Sequence, residues 1–163
     1  MNPKEEIRYY SPTLGRLLFS EVIDEVVAMM SSNPEDVYSI VVGTDSQTYY
    51  GEAEYVTAIV VHRVGRGGRY FWRRVVERKP KSLRDRIWRE ALLSYETAQA
   101  LIEAFRERGV FDCRLEIHVD IGRGGRTREL VEEVVGMIRG SGFFVRTKPE
   151  AYAASVVADK HTK

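Results

Sequence analysis

The sequence predicts a single α/β domain built on a mixed five-stranded sheet, strand order 3-2-1-4-5, flanked by helices and preceded by an extra N-terminal helix. Three observations carry that expectation. Three β-rich runs follow one another across short glycine-bearing connections, which makes an antiparallel meander. A long amphipathic segment then leads to two further strands joined through helices, which makes parallel pairing. The chain has 163 residues, the size of one domain.

Each element has a local reason. Ser11-Pro12 reads as a cap and first helical turn, and Leu14 to Met30 sets Leu18, Val22, Val26 and Met29 on one face. Residues 1–34 are thus expected to form a helical extension packed on the domain. Ser31-Ser32-Asn33-Pro34 ends that helix. Tyr38–Tyr50, Tyr55–Val64 and Arg69–Arg78 read as strands, separated by turns at Gly51 and at Gly65-Arg66-Gly67-Gly68. Lys79-Pro80 stops the third strand, Ser82 is placed to cap a helix running to about Arg108, and Gly109 ends it. Arg114–Ile121 is the fourth strand, Thr127–Arg139 a helix, Phe143–Thr147 the fifth strand, and Ala151 to about Lys160 a last helix. A right-handed crossover through the long helix returns the chain so that the fourth strand lies parallel beside the first.

Composition narrows the function classes. With 25 basic and 24 acidic residues the net charge is +1, which argues against a purely electrostatic nucleic-acid coat but leaves room for a local basic patch. Cys113 is the single cysteine, so an internal disulfide and a cysteine-rich zinc site are both excluded, and a reducing, cytoplasmic setting fits. No run is long and apolar enough to span a bilayer, and the first residues lack the pattern of a signal peptide. The expected protein is soluble and intracellular.

Against that background the acidic residues are informative. Asp45 ends the run Val41-Val42-Gly43-Thr44-Asp45, and Asp120 ends Leu115-Glu116-Ile117-His118-Val119-Asp120. In the expected order these two strands are parallel neighbours, so both carboxylates fall at the carboxyl edge where open α/β sheets bind ligands. Carboxylates gathered there repel unless a divalent cation offsets the charge. The competing readings are a turn-forming Asp45 and an Asp120 that caps the next helix. Glu90 and Glu96 compete for the long helix. With Ile87, Ala91, Ser94, Ala98, Leu101 and Phe105 as the buried face, Glu90 lies about 60° from its centre and Glu96 about 180° away. Glu90 is also nearer the helix start, so it is the chosen position. The alternative for Glu90 is a helix-surface salt bridge with Arg86 or Arg89.

Gly43-Thr44-Asp45-Ser46-Gln47, His118-Val119-Asp120-Ile121-Gly122 and Ala158-Asp159-Lys160-His161-Thr162-Lys163, with Ser11-Pro12-Thr13 near the start, resemble a bacterial family of ribonuclease H-like proteins, the YkuK type. The resemblance spans nearly the whole chain. It implies the ribonuclease H-like fold and metal-dependent nuclease chemistry, with Mg²⁺ or Mn²⁺, two ions in all, on Asp45, Glu90, Asp120 and Asp159. It also raises Asp159 above the other reading of that residue, a solvated charge near a chain end. His161, beside Asp159, is placed to contact a scissile phosphate or shuttle a proton.

Nucleic acid is the expected partner, whether RNA, DNA or a hybrid. Arg123 and Arg126 in Gly122-Arg123-Gly124-Gly125-Arg126-Thr127 could hold phosphate at a helix start, and Lys160 adds a third basic contact; a plain glycine-rich turn is the other reading. Arg66, Arg69, Arg73, Arg74 and Arg78, interleaved with Tyr70, Phe71 and Trp72, form either a basic-aromatic surface or a strand with one buried and one solvated face. His62 and His118 read as ordinary strand residues, and Ser46 lacks a His–Asp pair at a useful spacing. The rival function is a non-catalytic nucleic-acid or protein-binding module on the same fold. An actin-like ATPase is disfavoured, because the chain is too short for paired domains.

Overall fold

The fold was determined as a computed structural model, which describes residues 7–121 and 128–147. In chain order the elements are β1 (Arg8–Ser11), β2 (Gly15–Leu18), α1 (Phe19–Ser32), β3 (Tyr38–Tyr49), β4 (Glu52–Arg63), β5 (Gly68–Arg78), α2 (Leu83–Glu107), β6 (Arg114–Val119), α3 (Arg128–Gly140) and β7 (Phe144–Thr147). They build one sheet of order β2-β1-β5-β4-β3-β6-β7. Five of these strands, β5-β4-β3-β6-β7, reproduce the order expected from the sequence. Pairing is antiparallel through β5, β4 and β3 and parallel through β3, β6 and β7.

The N-terminus corrects the sequence reading. Residues 8–18 form a hairpin that extends the sheet beyond β5, and the helix begins only at Phe19. Ser11 starts a turn instead of capping a helix: its Oγ accepts from the amides of Thr13 and Leu14, each at 3.3 Å. Gly15 then takes φ +73°, which a side-chain-bearing residue rarely adopts. Alternation completes the hairpin, with Tyr9 and Leu17 buried and Arg8 and Arg16 exposed. At the true helix start Leu18 offers no side-chain acceptor, and Glu21 reaches back to its amide at 3.0 Å instead.

One core unites the helices with one face of the sheet. Val22, Ile23 and Val26 of α1, Ile87, Ala98, Leu101 and Phe105 of α2, and Val131, Val134 and Ile138 of α3 pack against Ile40, Val42, Ile59, Phe71 and Ile117. Helix α2 starts where the sequence placed it, with Ser82 Oγ accepting from the Asp85 amide at 3.1 Å. Its start lies just after β5, so its first turns reach the carboxyl edge of β3. Among the described residues no helix is long and apolar enough to cross a membrane.

Candidate metal and catalytic site

The parallel register brings Asp45, which lies inside β3 and not at its end, toward Asp120, which follows the last residue of β6. Ser39 pairs with Arg114 and Gly43 with His118, and the same offset carried two residues further sets Asp45 level with Asp120. Both are half-buried. Asp45 Oδ1 accepts from the Ser46 amide at 2.9 Å, so part of its charge is met locally. Strand alternation then separates neighbours: Thr44 and Ser46 face α2, and Asp45 falls with Val41 and Gly43 on the other side. The site therefore straddles the sheet edge.

Glu90 comes to that edge from the helix side. It is 8% exposed, whereas Glu96 is exposed on the far side of α2. A polar seam runs between β3, β4 and α2. Thr44 Oγ1 lies 2.9 Å from Thr57 Oγ1 and 2.8 Å from Ser94 Oγ. Next along the strand, Ser46 Oγ donates to Glu90 Oε1 at 2.5 Å. Arg86 donates through Nε to Ser46 Oγ at 2.8 Å and through Nη2 to the Ser46 carbonyl at 3.0 Å. The ion pair between Arg86 and Glu90 foreseen as the alternative role is also present, at 3.7 Å, in a part-buried setting.

Burial pushes the Glu90 carboxyl up to about 8; the Ser46 hydroxyl and Arg86 pull it down, and the charges of Asp45 and Asp120 push it further up. The three acidic residues thus share one electrostatic neighbourhood. Tyr55, paired with Ser46 across β3 and β4, is 1% exposed and its hydroxyl is also raised, chiefly by burial.

No group of three or more His, Cys, Asp or Glu side chains stands at metal-holding distance among the described residues. Asp159, His161 and Lys160, and likewise Arg123 and Arg126, lie outside those residues. The hydrogen bonds that join Arg86 and Glu90 through Ser46 are the part of the site that sequence reading did not foresee. Arg86 lies one helical turn before Glu90, so that half could be read, whereas Ser46 shares the strand parity of Thr44 but nothing local ties it to the helix.

Glu54, paired with Arg74, and Glu116 are buried as well, and Glu116 lies on the far side of the sheet. Glu116 accepts from Arg114 Nη2 at 2.9 Å, His118 Nε2 at 3.2 Å and Arg146 Nε at 3.0 Å. Burial alone would raise Glu116, but these three donors outweigh it and hold the carboxyl low. Burial also lowers His118 against the pull of Glu116, so its imidazole is neutral near pH 7. The basic-aromatic stretch is divided. Phe71 is in the core, Arg69 pairs with Glu25, and Trp72 stacks on Tyr10 with centroids 4.8 Å apart.

The profile of the Ribonuclease H-like family matches residues 21–163. A Bacillus subtilis (strain 168) relative, described as "Uncharacterized protein YkuK", is 31% identical over 170 residues, covering 95% of this chain and 96% of that protein. No solved structure matches the chain. The strand order, the long helix after the meander and this match along most of the chain agree, and the chain belongs to the Ribonuclease H-like family.

Proposed function

We propose that the chain is a single-domain, metal-dependent nuclease that hydrolyses phosphodiester bonds in RNA or DNA. Asp45, Glu90, Asp120 and Asp159 would hold Mg²⁺ or Mn²⁺, two ions in all. One observation carries the reading: a carboxyl 8% exposed, displaced to about 8, with two further acidic residues adding to that displacement. Such a group is poorly satisfied as an anion by the protein alone. A nearby cation reverses the imbalance, since it favours the ionised form. The donor set is all oxygen, which suits hard cations and not zinc.

Divalent ions held by these residues would supply positive charge and lower the pKa of a water. The chain's own residues do the rest. Asp45 and Asp120 set the ligand positions from two rigid parallel strands, and Glu90 closes the set from α2. Arg123, Arg126 and Lys160 contact substrate phosphates without reading sequence. His161 contacts the scissile phosphate or moves a proton near neutral pH.

The test is a panel of labelled single-stranded, duplex and hybrid substrates with Mn²⁺, run on the parent and on Asp45→Asn. Cleavage by the parent that EDTA and Asp45→Asn both abolish supports the nuclease. Binding without cleavage, indifferent to EDTA and to Asp45→Asn, would replace it with the non-catalytic module.

A further inference from the structure

Glu90 is held through an intermediary. Its Oε1 accepts the Ser46 hydroxyl at 2.5 Å, and the oxygen of that hydroxyl accepts from Arg86 Nε at 2.8 Å. A second arm of the same guanidinium reaches the Ser46 carbonyl at 3.0 Å. Arg86 is therefore forked on Ser46, main chain and side chain together, while its approach to Glu90 is 3.7 Å, too long for a hydrogen bond.

Three residues along the same helix, Arg89 shows what direct neutralisation looks like. It grips the Glu77 carboxylate with Nε at 2.7 Å and Nη2 at 2.6 Å. Arg86 could not have been recruited for charge alone and left in its observed pose. With its Nε on one acceptor site of Ser46 Oγ, Arg86 leaves the hydroxyl proton free to go to Glu90.

We propose that Arg86 and Ser46 are positioning residues for Glu90, fixing its carboxyl at the edge shared with Asp45 and Asp120 so that it serves as a divalent-cation ligand. This rests on the metal-site reading above. Partners that orient a ligand typically change metal affinity by about 10–100-fold when lost. The sign of the effect separates this role from simple electrostatics. A cation beside a metal site repels the metal, so removing the Arg86 charge would tighten binding if charge were all that mattered. Loss of positioning weakens it.

The experiment is a Mn²⁺ titration of the full chain, read by loss of the free-ion paramagnetic resonance signal, with a thermal melt of each variant. Arg86→Met and Ser46→Ala are expected to bind Mn²⁺ about tenfold more weakly than the parent. Arg86→Lys keeps the charge but loses the fork, and the same weakening is expected. Ser46→Thr restores the hydroxyl and should recover most of the affinity. If Arg86→Met fails to fold, Ser46→Ala and Arg86→Lys decide the matter alone. Tighter binding by Arg86→Met, or parent-like binding by Arg86→Lys and Ser46→Ala, overturns the inference. If those variants bind normally while Asp45→Asn abolishes binding, the metal site stands and only the positioning role falls. A parent that binds no Mn²⁺ overturns both.

Discussion

Glu90 and Glu116 are matched in surface exposure, 8% and 7%, yet they sit on opposite faces of the sheet with opposite electrostatics. Glu116 faces three donors, two of them guanidinium groups, and is held below its ordinary value. Glu90 has one hydroxyl donor, an arginine turned toward a different residue, and two acidic neighbours, and it is pushed up to about 8. Glu90 lies deeper among protein atoms than Glu116, so burial raises it more, and the count and charge of the donors widen the difference. Glu116 is satisfied by the protein and ties β6 to β7. Glu90 is left short of positive charge beside Asp45 and Asp120, the imbalance that the proposed cation would offset.

Exchanging each carboxylate for its amide should separate the two roles most sharply. Glu90→Gln and Asp45→Asn are expected to lower Mn²⁺-dependent cleavage by at least about 100-fold, the upper end of what losing a mere orienting partner costs. Both should leave the melting temperature without metal unchanged or higher: Asp45→Asn removes a charge from a repelling cluster, and Glu90→Gln puts a neutral isostere where burial already keeps the carboxyl protonated below about 8. Glu116→Gln should do the reverse, keeping cleavage while costing about 2 kcal/mol. That figure allows for Arg114 and Arg146 regaining water, since their side chains are 57% and 44% exposed. Denaturant melts and a cleavage assay on the three variants check both halves. A Glu90→Gln protein that cleaves normally would make the two carboxylates equivalent and remove the basis of the comparison.

The pH dependence should run in opposite directions. Glu90 is raised, so the folded state holds its proton longer than the unfolded chain does. Its contribution to stability is complete below about 4.5 and is lost as pH rises through about 8. Glu116 is lowered, so its contribution is present above the ordinary glutamate range and is lost as pH falls through its depressed value. In metal-free buffer, the parent minus Glu90→Gln difference should therefore slope downward between about pH 4.5 and 8, by up to about 5 kcal/mol at about 1.4 kcal/mol per pH unit displaced. The parent minus Glu116→Gln difference should shrink only on the acid side. Adding Mn²⁺ should flatten the first slope and leave the second alone.

How far this was legible in the sequence differs between the two regions. The meander, the long helix with its Ser82 cap and the parallel return could all be read, because period-two and period-3.6 patterns and turn residues are local. Glu90 could be preferred to Glu96 by helix geometry alone. The hairpin at Arg8–Leu18 was missed because Ser11-Pro12 serves a turn as readily as a helix cap, and the strands flanking it are only four residues each. The clasp on Glu116 was missed for a different reason. Arg146 lies thirty residues from Glu116, and nothing in a single sequence states which distant arginine meets a given strand. The relay from Arg86 through Ser46 to Glu90 likewise crosses from helix to strand. Only its helical half, four residues apart, was visible beforehand.

The smallest expected effect sharpens the comparison from the backbone side. Glu90 depends on the first turns of α2, whereas Glu116 depends on strand pairing well away from that helix start. Ser82 Oγ satisfies the Asp85 amide at 3.1 Å, and the Arg86 amide bonds the Ser82 carbonyl at 3.1 Å. Ser82→Ala removes the side-chain cap and should cost about 1 kcal/mol. The loss should be local, with faster amide exchange through the first turns of α2 while β6 and β7 keep their protection. If the Arg86 relay needs that turn, Mn²⁺ affinity should fall slightly as well, by less than the effect of Ser46→Ala. Uniformly faster exchange across α2, β6 and β7 would show instead that the two carboxylates stand on one cooperative unit. Their difference would then come from depth of burial and donors, and not from separate supports.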